Sequence, residues 1–265
     1  MVKYNKLTMI LIILSVAIVA IVAVDGYRPL PKDLILRFHP YVGNQPLVLH
    51  HQSYKNPGGS GDFSITDFQL FISNITVKYS TSSISELNSY HLIRFDGGTS
   101  FDQILIPKIK IKDIETLSLG IGVDPKANGT IMFTGDLDPN SRMAWNWQVG
   151  YKFLLLEGKL TIEDKQIPLV YHIGFDESYA VLNFDITDEK ISNDGVINFK
   201  IDLLRLFQKT SITGKSLAKT PLKQKINYID MSEISQVKFA PDDVKKIAYG
   251  FHHFINIVNI VNIVN

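Results

Sequence analysis

Phe68-Gln69-Leu70-Phe71-Ile72-Ser73-Asn74-Ile75-Thr76-Val77-Lys78-Tyr79 carries apolar side chains at 68, 70 and 72 and then at 75, 77 and 79. A period of two belongs to a strand with one buried face, and the slip of one residue near Ser73 and Asn74 predicts a β-bulge or sharp bend. The same alternation recurs on both sides. Ile109 and Ile111 alternate with Lys108, Lys110 and Lys112; Leu117, Leu119, Ile121 and Val123 keep the period. Ala180, Leu182, Phe184 and Ile186 alternate with Asn183, Asp185 and Thr187. Ile197, Phe199, Ile201 and Leu203 alternate with Asn198, Lys200 and Asp202. Gly, Pro, Asn and Asp clusters at 56–62, 96–98, 124–129, 136–141 and 192–195 divide these runs. Parallel sheets need helical crossovers, and no helical period separates the runs, so residues 33 to about 207 read as an all-β domain. The expected architecture is an antiparallel β-sandwich, jelly-roll-like, of roughly nine or ten strands.

The 265 residues are 45% hydrophobic and 20% charged, enough apolar material for one large domain or two small ones. Lys+Arg of 27 against Asp+Glu of 26 leaves a net charge of +1, so no overall field draws the chain to nucleic acid. With no cysteine, disulfides, thiolate catalysis, Cys-based zinc sites and iron–sulfur clusters are excluded together. Any metal rests on His, Asp, Glu, Asn or backbone oxygen.

Ahead of the strands, Lys3 and Lys6 precede an uncharged run from Leu7 to Val24. As a helix this run is about 27 Å long, close to a bilayer core, so residues 1–24 are expected to be an export signal or a membrane-anchoring helix. The lysines stay inside and the C-terminal mass is exported. Residues 25–32 read as a linker and 33–254 as the folded domain. Pro241, Asp242 and Asp243 open a predicted C-terminal helix with Val244, Ile247, Ala248 and Phe251 on one stripe. Lys209 to Lys225 holds five lysines and no acid and reads as a solvated loop. From 255 to 265 an Asn-Ile-Val repeat of period three fits neither strand nor helix and is expected to fray.

Catalytic signatures are absent. His50-His51 continues as Gln52-Ser53-Tyr54 and gives no zinc-protease motif, and Gly120-Ile121-Gly122 lacks a third glycine. Gly58-Gly59-Ser60-Gly61-Asp62 has Asp where a nucleophile elbow needs Gly. Asp136-Leu137-Asp138-Pro139-Asn140 imitates half a calcium loop, but Ser141 replaces the turn glycine and Trp147 the closing Glu, so a turn is expected. A non-enzymatic role is expected.

What remains is a set of imidazoles and indoles. His39 ends the first strand, His50 and His51 the second, and His172 lies on the face opposite Ile167, Leu169, Tyr171 and Ile173. Trp145 and Trp147, two apart, share a face of an extended chain. Two such rings commonly seal a sandwich core, and isolated strand histidines are commonly hydrogen-bonded structural groups.

Tyr54-Lys55-Asn56-Pro57-Gly58, Phe68 to Ile75, Leu119-Gly120-Ile121-Gly122-Val123-Asp124 and, above all, Met143-Ala144-Trp145-Asn146-Trp147-Gln148-Val149-Gly150-Tyr151-Lys152-Phe153-Leu154-Leu155-Leu156-Glu157-Gly158 resemble successive blocks of the MbnP-like family. Their order and spacing match over residues 33–185, and the 241–254 segment resembles the family's closing helix. The resemblance implies an exported bacterial β-sandwich associated with copper and methanobactin. It further implies, for some members, copper held by histidines and a tryptophan oxidised to kynurenine by a partner haem protein of the di-haem peroxidase type. Carried onto this chain, copper would be held by some of His39, His50, His51 and His172, with Trp145 or Trp147 lining the site or modified; imidazole nitrogen suits copper. The expected function is thus non-catalytic copper binding in the periplasm. The alternative is a metal-free adhesion or scaffold module at the membrane surface, and a hydrolase without a recognisable motif ranks third.

Overall fold

The computed structural model describes residues 31–86, 89–95, 102–130, 135–146, 150–209 and 227–259. Its first strands are β1 (Lys32–Val42), β2 (Gln45–Pro46), β3 (Tyr54–Lys55), β4 (Asp62–Lys78) and β5 (Ser83–Ser85). β6 (Tyr90–Arg94), β7 (Gln103–Ile109) and β8 (Thr116–Ile121) follow, then the one-turn helix α1 (Pro125–Asn128). β9 (Ala144–Asn146), β10 (Gly150–Ile162), β11 (Lys165–Gly174), β12 (Ala180–Asp185) and β13 (Val196–Asp202) complete the middle of the chain. β14 (Gln236–Val237), helix α2 (Pro241–Ala248) and β15 (Ile255–Val258) close it.

These strands form two sheets. The smaller runs β15-β13-β1-β2, with β7 also on β1; the larger runs β12-β8-β4-β10-β11-β14, with β3, β5 and β6 on β4 and β9 on β10. Phe38 of β1 stacks on Phe199 of β13 at 5.1 Å, and Phe184 of β12 meets Phe199 edge-on at 5.2 Å. The sheets therefore face each other through these rings, which identifies the inner faces. Leu34, Leu36 and Phe38 on one side and Leu70, Leu154, Leu156 and Tyr171 on the other are buried between them.

The sandwich expected from the alternation is present, but its pairing is not wholly antiparallel. β1 runs parallel to β13, Phe38 opposite Phe199, and β11 runs parallel to β14. Parallel neighbours need a long crossover, and here the chain between β1 and β13, which builds most of the larger sheet, supplies it.

The phase slip has a structural cause. Ser73 lies opposite Gly120 and Thr76 opposite Ser118, so three steps on β4 match two on β8. Asn74 takes up the extra residue at φ 50°, the bulge that the sequence predicts. On β7, Ile106 faces Leu34 and Ile109 faces Lys32, with Lys108 at φ 59°. The strand ends at Ile109, so Ile111 does not extend it as the lysine alternation suggested. Leu203 likewise leaves β13 for a 3₁₀ turn, Leu203–Phe207, which the Asp202 carboxylate caps by accepting from Leu204 N.

The C-terminal helix forms as expected, with Pro241 in its first turn and Val244, Ile247 and Ala248 buried, followed by buried Phe251. The Asn-Ile-Val tail corrects the expectation of a frayed end. Its first residues form β15, antiparallel on β13, with Ile255 only 2% exposed. A three-residue repeat is no strand signature, but an open sheet edge supplies partners that periodicity does not encode. Residues 1–24, most of the linker 25–32, and Thr210 to Lys225 of the lysine-rich stretch lie outside the described residues. No helix among the described residues is long and apolar enough to cross a membrane. Asp136 to Ser141 is a turn as expected: Asp136 accepts from Leu92 N at 2.7 Å and Asp138 from Asn140 N at 2.8 Å.

Candidate functional site

The outer face of the larger sheet carries a row of charged groups contributed by three adjacent strands. His172 on β11 lies opposite Leu155 of β10, and Glu157, two residues on, shares that face. Their side chains meet: His172 Nε2 is 2.8 Å from Glu157 Oε1. Arg142, just before β9, donates Nη2–H to Glu157 Oε2 at 2.6 Å and Nη1–H to the Asp67 carboxylate on β4. The row thus reads Asp67, Arg142, Glu157, His172, each member joined to the next.

Burial holds His172 below its ordinary pKa; the Glu157 hydrogen bond opposes this and the Lys152 charge adds to it. The side chain is only 14% exposed. For Glu157 burial alone would raise the pKa, but hydrogen bonds from His172 and Arg142 together outweigh it and keep the carboxylate below its usual range. At neutral pH the Glu157 carboxylate is therefore ionised and the His172 imidazole neutral.

Above this row sits the tryptophan segment. Lys152, itself buried, donates Nζ–H to the carbonyls of Arg142 at 2.5 Å and Ala144 at 3.3 Å. These bonds tie the segment carrying Trp145 to β10. The indole lies over Gly174, where an added Cβ would stand 2.8 and 2.9 Å from its Cζ3 and Cη2. Only a residue without a side chain leaves room for the ring. Gly174 follows His172 by two residues on the same face of β11, about 7 Å along the strand, so the indole sits over the position next to His172 on that face. Phe175 and Phe239 flank the indole, with centroids 5.0 and 5.2 Å away, and Phe239 is 60% exposed. Trp145 does not seal the inter-sheet core; it anchors an aromatic tray on the outside of the sandwich.

The four histidines singled out in the sequence do not meet. His39 alternates with inward-facing Phe38 and so lies on the outer face of the smaller sheet, its Nε2 2.9 Å from Asn198 Oδ1. His172 is on the outer face of the larger sheet, with the core between them. His50 and His51 stand exposed in the turn before β3, their ring centroids 6.3 Å apart. His50 N–H bonds Ile65 O of β4, two strands from β11. Among the described residues no group of three or more His, Asp or Glu could hold a metal ion. Trp147 lies outside the described residues. Near Trp145 one imidazole, already hydrogen-bonded at Nε2, stands with Arg142 and Lys152, whose charges repel a cation. The donor set described here does not fit a copper ion.

Asp67, Arg142, Lys152, Glu157, Gly174 and Phe239 escape sequence reasoning because they come from segments far apart in the chain. One signal was legible: Glu157 interrupts the apolar run Phe153-Leu154-Leu155-Leu156 at the end of the tryptophan block.

The MbnP family model matches residues 31–226, a span that takes in the tryptophan segment and the whole charged row. The chain belongs to the MbnP family. A solved structure, MbnP from Methylosinus trichosporium, aligns with a TM-score of 0.55 over 86% of this chain and 99% of that one. At 15% identity this likeness shows a shared MbnP fold. No curated protein matches the chain. The MbnP match ends before α2, which packs on β11 and the 203–207 turn, and before β15 of the smaller sheet.

Proposed function

We propose that this chain is an exported, non-catalytic copper-handling protein of the periplasm, held by or released from its apolar N-terminal segment. Its working face is the side of the larger sheet that bears Trp145 and His172. The observation that carries this reading is the seating of Trp145 on Gly174 beside His172, inside the span matched by the family. Copper enters through the family resemblance and not through the donor set. What the chain's own residues do is definite: the Glu157–Arg142–Asp67 row orients His172, burial keeps that imidazole neutral, and Lys152 fixes the backbone that presents the indole. Phe175 and Phe239 extend the indole into an apolar surface suited to contact with a partner protein; the resemblance implies a di-haem peroxidase-type partner that oxidises tryptophan.

The test is equilibrium dialysis of the purified protein against Cu(I) and Cu(II), with His39→Ala, His51→Ala and His172→Ala compared. Stoichiometric uptake supports the copper reading, and the variant that loses it identifies the imidazole that carries it. Absence of stoichiometric uptake rejects the copper reading and leaves a metal-free scaffold. Peptide mass spectrometry of the protein from its host supplies a second readout: the Trp145 peptide should show a net gain of one oxygen and loss of one carbon.

A further inference from the structure

The larger sheet ends in two very different strands. β14 is two residues long, whereas β12 runs for six, Ala180–Asp185, with β8 as its one neighbour among the described residues. In the smaller sheet β2 is two residues long and includes Pro46, and β7 carries Pro107 and a bulge at Lys108. Short strands, prolines, lysines and bulges are the devices by which edges avoid pairing with other chains. β12 has none of them: it contains no proline and no lysine, and its register against β8 is unbroken.

That register shows which backbone groups are free. Ile186 N–H bonds the carbonyl of Glu115, its partner one step beyond the end of β12, at 2.8 Å. In an antiparallel pair alternate residues bond the neighbour, so Ala180, Leu182 and Phe184 spend their amides and carbonyls on β8. Val181, Asn183 and Asp185 turn theirs to the open edge. Among the described residues nothing bonds the backbone of Val181 or Asn183, and the Asp185 carbonyl takes only Lys190 Nζ, which leaves it a lone pair. Side chains alternate as well. Phe184 meets Phe199 on the inner face, yet it is only partly buried, for no strand among the described residues lies beyond it. Val181 stands on the outer face, 51% exposed.

We propose that this edge is a self-association site, at which β12 of a second copy of the chain pairs antiparallel across a two-fold axis at Asn183. In that register Asn183 faces Asn183 of the second copy and Val181 faces Asp185, so each free amide and carbonyl meets another in a hydrogen-bonded pair. The same register sets Leu182 against Phe184 and Ala180 against Ile186 of the second copy, apolar on apolar along the inner face. A slip by one residue would aim the free groups at groups already bonded to β8 and turn the apolar face outward. A second copy suits the edge because both of its patterns, the free groups and the apolar side chains, are complementary to themselves about Asn183. The contact is isologous, joins two larger sheets into one and closes as a dimer. It involves neither copper nor Trp145.

Because the full chain lacks cysteine, introduced cysteines report the contact. Asn183→Cys, oxidised mildly in the full-length protein, is compared with Val48→Cys, an exposed position away from β12. Paired residues at the axis would lie about 5.5 Å apart at Cα, within the reach of a disulfide. A linked dimer several-fold above the Val48→Cys level is expected, and so is one from an equimolar mixture of Val181→Cys and Asp185→Cys. Val181→Cys alone should stay at the control level, since its two copies are offset by four residues, about 13 Å. Adding Val181→Pro to Asn183→Cys removes an N–H that the edge offers and that nothing in the chain uses; it should abolish linkage while circular dichroism shows the protein folded. Linkage of Asn183→Cys no greater than that of Val48→Cys, or linkage that survives Val181→Pro, overturns the proposal.

Discussion

His172 Nε2 and Glu157 Oε1 lie 2.8 Å apart, yet the histidine is held below its ordinary pKa of 6.5, because burial outweighs the carboxylate beside it. The same physics acts more strongly at His253. Burial, then Arg205 and His252, push it down to about 4, and its Nε2 has no hydrogen-bond partner.

Both groups set the acid response. A histidine depressed in the folded state binds its proton first in the unfolded chain, so stability is full above about 6.5 and is lost as pH falls toward the folded value. The melting temperature should hold above pH 6.5 and decline from there to about 4. His253→Phe should keep the neutral-pH value and flatten the decline. Calorimetry across a pH series checks both, and an unchanged slope in the variant would contradict the assignment.

Gly174→Ala should move Trp145. The new methyl meets the indole at 2.8 Å and the Tyr151 carbonyl oxygen at 2.6 Å. In a Trp147→Phe background the fluorescence of Trp145 should shift to longer wavelength, with a stability loss of about 1–3 kcal/mol from overpacking. Gly129→Ala, whose methyl meets nothing nearer than 3.7 Å, should leave both readouts in place.

Asp124 holds two family blocks together. Its carboxylate accepts from Tyr90 OH at 2.5 Å and from Asn74 Nδ2 at 3.1 Å, and it caps α1 through Lys126 N. Asp124→Ala removes the cap and strands two donors, a cost of about 2–4 kcal/mol in urea unfolding. Asp138→Ala, a turn carboxylate that accepts from Asn140 N, should cost less.

Ile255→Ala should cost about 2–4 kcal/mol, since its side chain is buried at the edge of the core. Exposed Asn256→Ala should stay within about 0.5 kcal/mol. Equal effects would mean that β15 does not dock as described.

Much of the architecture was legible in the residues. The slip at Ser73 and Asn74 predicts a bulge and a bulge is there; the stripe of Val244, Ile247, Ala248 and Phe251 predicts a buried helix face and all four are buried. The candidate site was legible only in its two most conspicuous members. Trp145 and His172 could be named, but Asp67, Arg142 and Glu157 could not be joined to them, because strand order in the sheet decides which distant residues touch. His39 and His172 look equivalent along the chain and lie on opposite outer faces of the sandwich.

By itself the sequence determined the β class of this protein, the inward-facing residues of most strands, the C-terminal helix and the likeness to MbnP blocks. Each follows from a local period or an ordered motif, and a local period reports which side of a strand faces the core whatever the neighbour is. Only the tertiary structure decided that β1 and β13 run parallel, that the first residues of the Asn-Ile-Val tail join the smaller sheet, and that Trp145 rests outside the core over Gly174. These depend on which edges remain open once the strands have paired, a property of the whole assembly that no single segment carries.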